Sequence, residues 1–240
     1  MIFLTELNKK NKTIIISEDQ HRAIMGEAAD EVFTTNDLVI PDFSAESFSN
    51  VVNYCEQHCG KSIGCGSSRA VFQIDDEKVL KLGIFQKGIA QNKAEIAVYA
   101  KYKGFGLFPQ IYDYEQNGLW LVSEYVLPAE PKDFTTCLGI RFGDLCNLVD
   151  YIDYSQGAQI DTSNFFYNHD EKIKKYADML DSMKDTPFIK ELSSYIINGN
   201  APVGDITVID NWGLAKRNGG AMPVLLDSGL TTQIWEDYYR

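Results

Sequence analysis

The chain of 240 residues is 45% hydrophobic, which suits a globular fold of one two-lobed domain or two small ones with a sizeable core. Its 34 acidic and 22 basic residues leave a net charge of −12, which argues against nucleic acid as a partner, because phosphate backbones need clustered Lys and Arg. There is no apolar run of the roughly eighteen residues that would span a membrane and no basic-then-apolar leader, and five cysteines without a disulfide framework point to a reducing compartment, by default the cytoplasm.

Residues 2–6 and 12–17 (IFLTE, KTIIIS) read as two strands around a polar turn, and 18–32 as helical. SAESFSNVVNYCEQHCG reads as a helix, with Ser44 as N-cap, Glu46 in the first turn, an apolar stripe of Phe48, Val51, Val52 and Cys55, and Gly60 as the stop. Cys55, His58 and Cys59 have the spacing of a metal site, but only three ligands are visible, and an ordinary helix end is the preferred reading.

A strand-rich region follows. GKSIGCG leads into RAVFQI, and the DDE turn leads into KVLKLG. GIAQNKAEIAVYAKYKG reads as a helix ended by Gly104. FPQIYDYEQNGLWLVSEYV reads as two strands joined at Asn117-Gly118. Pro128 and Pro131 break the chain there. Beyond them the pattern is helical over about 138–154, 170–182 and 186–198, and it ends in turn and strand. The Trp and Tyr residues of the tail, QIWEDYYR, read as an apolar face turned inward. The expected division is an extension over 1–60, a small β-rich lobe with one helix over 61–127, and a mainly helical lobe over 128–240.

Gly64 and Gly66 with Val71 form the first half of a loop in which backbone amides could approach phosphate oxygens without a Cβ in the way. The alternative is a hairpin turn that needs glycine for its own sake. Lys81 sits in an apolar strand, where an ammonium needs a partner such as phosphate or carboxylate. Lys78 and Lys87 lie outside that run and read as solvated. Glu95 is the one carboxylate of the helix GIAQNKAEIAVYAKY, set between Ala94 and Ile96. Asp205 and Asn211 flank ITVID, and Asp227 opens DSG after the apolar PVLL. An Asp, a later Asn and an Asp-x-Gly supply a group to orient an acceptor hydroxyl and oxygen ligands for magnesium.

In this order the glycine pair, VLKLG, the helix glutamate, LWLVSEYV, Asp205 with Asn211, and DSG resemble the protein-kinase-like fold over about residues 60–230. IGCGSSRAVF, KVLKLGIF and FPQIYDYEQNGLWLVSEY resemble the compact serine/threonine protein kinases of tailed bacteriophages. The resemblance implies an α+β, two-lobed fold that uses ATP and Mg2+, in the host cytoplasm if phage-encoded, with a protein substrate or host protein as partner. It implies that Gly64, Gly66 and Val71 cover the nucleotide. Lys81 would hold the phosphates and pair with Glu95, and the backbone of Glu124 to Val126 would receive adenine. Asp205 would be the catalytic base, with Asn211 and Asp227 on the metal.

The chain departs from the pattern in four places. Arg69 replaces the third glycine, and Val203 stands where the family has histidine. Ser228 replaces the Phe of Asp-Phe-Gly, and little chain follows Gly229 for a peptide-docking segment. Asp210 occupies the five-residue spacing from Asp205 and Asn211 the next, so either fits the metal role. A kinase-like protein without activity that binds a partner, and a small-molecule kinase, are the alternatives.

Overall fold

The computed structural model describes residues 48–59, 62–102, 106–155, 169–198, 202–217 and 219–240, with four short strands before residue 42 described in backbone alone. The fold is α+β. Contacts divide it into a β-rich unit, residues 1–92 and 111–125, and a mainly helical unit, residues 93–110 and 126–240. The order of a sheet followed by helices is the one the kinase-like resemblance implies.

In the first unit β1 (Phe3–Leu7) pairs antiparallel with β2 (Lys12–Ile16), each close to its expected range. β3 (Val32–Thr35) pairs with β4 (Leu38–Pro41), a hairpin the sequence reading did not include. The expected helix over 18–32 falls outside the described residues except for Val32, which opens β3. Ser44, Glu46, Gly60 and Gly104 also lie outside them.

Helix α1 (Phe48–His58) precedes an antiparallel five-stranded sheet. Its strands are β5 (Ser62–Cys65), β6 (Arg69–Gln73), β7 (Lys78–Gly83), β8 (Ile111–Tyr114) and β9 (Trp120–Glu124), in the order β5-β6-β7-β9-β8. Alternate residues of a strand face opposite sides. The side bearing Phe72, Leu80, Leu82, Trp120 and Val122 packs on Val51, Val52 and Cys55 of α1 in one buried core. The β8–β9 turn behaves as Asn-Gly predicts: Gly118 has φ 81° and donates its N–H to the Glu115 carbonyl at 2.9 Å.

Helix α2 (Phe85–Tyr102) begins three residues before the expected Gly88. In the second unit α3 (Pro131–Leu138) occupies a stretch read as a break. Pro131 sits in the first turn, where a missing N–H costs nothing, and the Glu130 N–H donates to the Asp133 carboxylate at 2.7 Å. Gly139, at φ 71°, ends α3, so the next helix, α4 (Phe142–Ser155), starts later than the expected 138.

α4, α5 (Asp170–Met183) and α6 (Pro187–Asn198) pack through stripes such as Leu145, Leu148, Val149 and Ile152. A short α7 (Val203–Ile206) and a 3-10 turn (Ile209–Asn211) lead into β11 (Trp212–Arg217), which pairs with β10 (Leu127–Pro128) and β12 (Gly220–Leu225). α8 (Thr232–Tyr238) follows, capped by the Thr231 hydroxyl. The inward tail face is corrected here: Ile234 is buried, but Trp235 and Tyr238 are exposed. Among the described residues no helix is long and apolar enough to cross a membrane.

Candidate functional site

Register in the first unit aligns three of the singled-out residues. Gly64 lies opposite Val71, Val71 opposite Lys81, and Lys81 opposite Leu121. They therefore share the sheet face opposite α1. Neither glycine is demanded by the hairpin. Neither has a positive φ, a Cβ on Gly64 would meet no atom within 4 Å, and one on Gly66 would meet only the Arg69 carbonyl at 3.8 Å. The turn-chemistry alternative thus loses its steric reason.

Arg69, in place of the third glycine, is buried, and its Nη1 donates to Asn92 Oδ1 at 3.4 Å. Asn92, wholly buried in α2, donates Nδ2 to the carbonyls of Lys81, Gly118 and Leu119, tying the Lys81 strand to the β8–β9 turn. No sequence signal singled out Asn92, since its role depends on three distant carbonyls. Lys81 and Glu95 are both buried, at 8% and 4% exposure, as a paired or ligand-facing charge requires.

Lys78 was expected to be solvated and is buried instead. It faces Glu124 across the sheet, reaches Asp75 Oδ2 at 3.9 Å and lies over the Tyr112 ring at 5.7 Å. Tyr125 N–H donates to the Glu77 carbonyl at 2.7 Å, which leaves Glu124 and Val126 as the flanks of that strand end. Cys55, His58 and Cys59 behave as a helix end: His58 Nδ1 lies 2.9 Å from the Tyr54 carbonyl, and its ring stacks on Tyr54. Hydrogen bonding to Cys59 pushes the Cys55 thiol up.

The second unit gathers the carboxylates. Asp205 sits in α7, half-buried, and burial followed by the nearby Asp227 raises its carboxyl above the usual Asp range. Asn211 Nδ2 donates to the Asp205 carbonyl at 2.9 Å, and the Asn211 carbonyl accepts the Leu226 N–H at 2.8 Å. Trp212 Nε1 closes the same turn on the Ile206 carbonyl at 2.8 Å. Asp210 is exposed instead. Asn211 is thus held between Asp205 and the strand that enters Asp227.

Asp227 Oδ1 accepts the Gly229 N–H at 3.3 Å, and the Ser228 carbonyl lies 3.4 Å from the Tyr195 hydroxyl. Burial pushes the Tyr195 phenol up, and Asp227, Glu95, Tyr102 and Asp205 add to that in this order. Tyr195 is thus a common neighbour of three singled-out carboxylates. Sequence reasoning missed it because it looks like one more stripe residue of α6.

Among the described residues no group of three or more His, Cys, Asp or Glu side chains is placed to hold a metal by itself. Magnesium bound along with phosphates takes only one or two carboxylates plus other oxygens, and Asp227 with Asn211 are donors of that kind.

No protein-family model and no curated protein sequence matches the chain. Among solved structures, the streptomycin-ATP ternary complex of APH(2")-IIa shares 13% identity at a TM-score of 0.34, over 74% of this chain and 68% of that one. The ADP-bound aminoglycoside phosphotransferase APH(2'')-Ib shares 14% at 0.34, over 74% and 69%. The gentamicin complex of APH(2")-IIa shares 14% at 0.30, over 70% and 64%. Likeness this slight carries no argument about activity.

Proposed function

We propose that the chain is an ATP- and magnesium-dependent phosphotransferase of kinase-like design, acting in the cytoplasm on a serine or threonine hydroxyl of a protein, as the resemblance to phage kinases implies. The observation that carries it is the grouping of Asp205 with Asp227, with Asn211 hydrogen-bonded to the Asp205 backbone and to the strand entering Asp227. Two glycines that the hairpin does not need, one of them, Gly64, in line with Lys81, support it.

Gly64, Gly66 and Val71 cover the nucleotide, Lys81 binds its phosphates, and Glu95 is the glutamate of this set. Glu124 and Val126 offer backbone to adenine. Asp227 and Asn211 hold magnesium, which when bound neutralises charge on the transferring phosphate. Asp205 orients the acceptor hydroxyl and takes its proton as the new O–P bond forms and the bond to ADP breaks. Its raised carboxyl pKa suits a proton acceptor. Catalysis of this kind is mostly positioning and charge stabilisation.

One observation favours a second acceptor class, a small-molecule hydroxyl. Helix α8 starts three residues after Gly229, where a protein kinase would extend a peptide-docking segment.

The test is a thermal-shift titration with ATP and magnesium, then radiolabel transfer from ATP to protein and small-hydroxyl panels. Asp227→Ala should remove the metal-dependent shift and lower transfer at least about a hundredfold. Undiminished transfer in that variant refutes the assignment. Nucleotide-dependent stabilisation with no transfer to any acceptor replaces it with a partner-binding protein that has lost catalysis.

A further inference from the structure

Helix α1 ends on two neighbouring free thiols. Cys55 is wholly buried in the core that α1 shares with the sheet, a core that also holds Leu80 and Leu82 of β7. Cys59, one residue past the helix end, is half-buried and packs against the same core. Residues four apart share a helix face, and here the Cys55 S–H donates to the Cys59 sulfur. The Cys59 N–H also donates to the Cys55 carbonyl at 2.8 Å. Neither thiol belongs to the phosphotransfer set, since α1 covers the sheet face opposite Gly64, Val71 and Lys81.

We propose that Cys59 is a modification site for small hydroperoxides, and that Cys55 resolves the oxidised sulfur into a disulfide. The Cys59 thiolate attacks one peroxide oxygen, so that an S–O bond forms and the O–O bond breaks. The leaving alkoxide or hydroxide takes up the proton that Cys59 gave up, sulfur is oxidised to the sulfenic acid, and the peroxide is reduced. Cys55 Sγ then attacks Cys59 Sγ. The S–S bond forms, the S–O bond breaks, and hydroxide leaves as water with the Cys55 proton.

Exposure assigns the two roles, because an oxidant from solution reaches Cys59 and not Cys55. The adjacent S–H favours the Cys59 thiolate, which is the reactive form, and lowers that thiol against desolvation. The C-terminal end of a helix gives an anion no such help, so Cys55 is the group that supplies it. Desolvation instead raises the thiols of Cys65, Cys137 and Cys146. A disulfide needs Cβ atoms about 3.5–4.5 Å apart, whereas helix residues four apart hold theirs at about 5–6 Å. The last turn of α1 must therefore open, and the Cys59 N–H bond to the Cys55 carbonyl is the one given up. Helix ends fray, and a disulfide formed under such strain is readily reduced, which is the transient, redox-sensing kind.

The test treats the reduced full chain with limiting hydrogen peroxide, alkylates the remaining thiols and cuts after Lys and Glu. Cutting at Glu56 parts Cys55 from Cys59, so their disulfide holds two peptides together. The linked peptides, from a chain of monomer mass, should form at least about threefold faster than oxidised Cys65, and dithiothreitol should release them. In Cys55→Ala, Cys59 should stop at the sulfenic acid, captured by dimedone. In Cys59→Ser, Cys55 should stay reduced while Cys65 oxidises. Linked peptides that form no faster than Cys65 oxidises, or that never form, overturn the proposal, and this wild-type comparison stands whether or not either variant folds. Oxidation of Cys55 that proceeds equally fast without Cys59 overturns it too.

Discussion

Burial holds the Glu191 carboxyl at about 7 rather than its ordinary 4.5. Between those values the folded protein keeps a proton that the unfolded chain has lost. The group's contribution to stability is therefore full below about 4.5 and is lost as pH rises through about 7. At about 1.4 kcal/mol per unit, the loss is on the order of 3–4 kcal/mol. Glu191→Gln has no proton to lose, so it should gain that much on the wild type between about pH 4.5 and about pH 8. Urea unfolding of both proteins across this range measures the difference, and parallel pH profiles would contradict the assigned burial effect. The same carboxyl shows where reading a sequence stops. Glu191 stands in α6 directly after Lys190, and only burial on folding, which the sequence around it does not announce, makes it an internal acid.

Element packing reverses a propensity rule at Gly88. Replacing glycine by alanine inside a helix ordinarily stabilises by about 1 kcal/mol. In α2 the added Cβ would lie within 1.9 Å of the Ser68 carbonyl oxygen and 2.9 Å of the Gly83 Cα, both backbone atoms. Gly88→Ala should therefore destabilise by at least about 2 kcal/mol, read as a lower urea midpoint, and a higher midpoint would disprove the close approach. This contact also explains why the start of α2 was illegible: a glycine that reads as a helix boundary is where the helix meets the chain before β6. α3 was hidden for a related reason, since Pro131 breaks a helix in its interior but suits its first turn. The Asn117-Gly118 turn and the KVLKLG strand were legible because they needed no distant partner, whereas the row of Gly64, Val71 and Lys81 is set by strand register. Lys78, Asn92 and Tyr195 needed distant neighbours, for Lys78 Glu124 and the Tyr112 ring, so their roles emerged only on folding.

At the scale of the molecule, the singled-out residues fall in both units. Gly64, Val71 and Lys81 belong to the first, and Glu95, Asp205, Asn211 and Asp227 to the second. A phosphotransferase of the proposed kind needs both sets at once, because the nucleotide phosphates and the acceptor must be held together for one transfer step. Residues that serve one transition state are grossly non-additive: losing one removes most of what its partners contribute. Lys81→Met and Asp227→Ala should thus each reduce ATP-dependent transfer at least about a hundredfold, and the double variant should fall only a few-fold below the worse single one. Initial rates of radiolabel transfer for the four proteins, at one saturating ATP concentration, give the comparison. Two losses that multiply in full would show that the lysine and the aspartate lower the barrier independently, against the coupling expected of them.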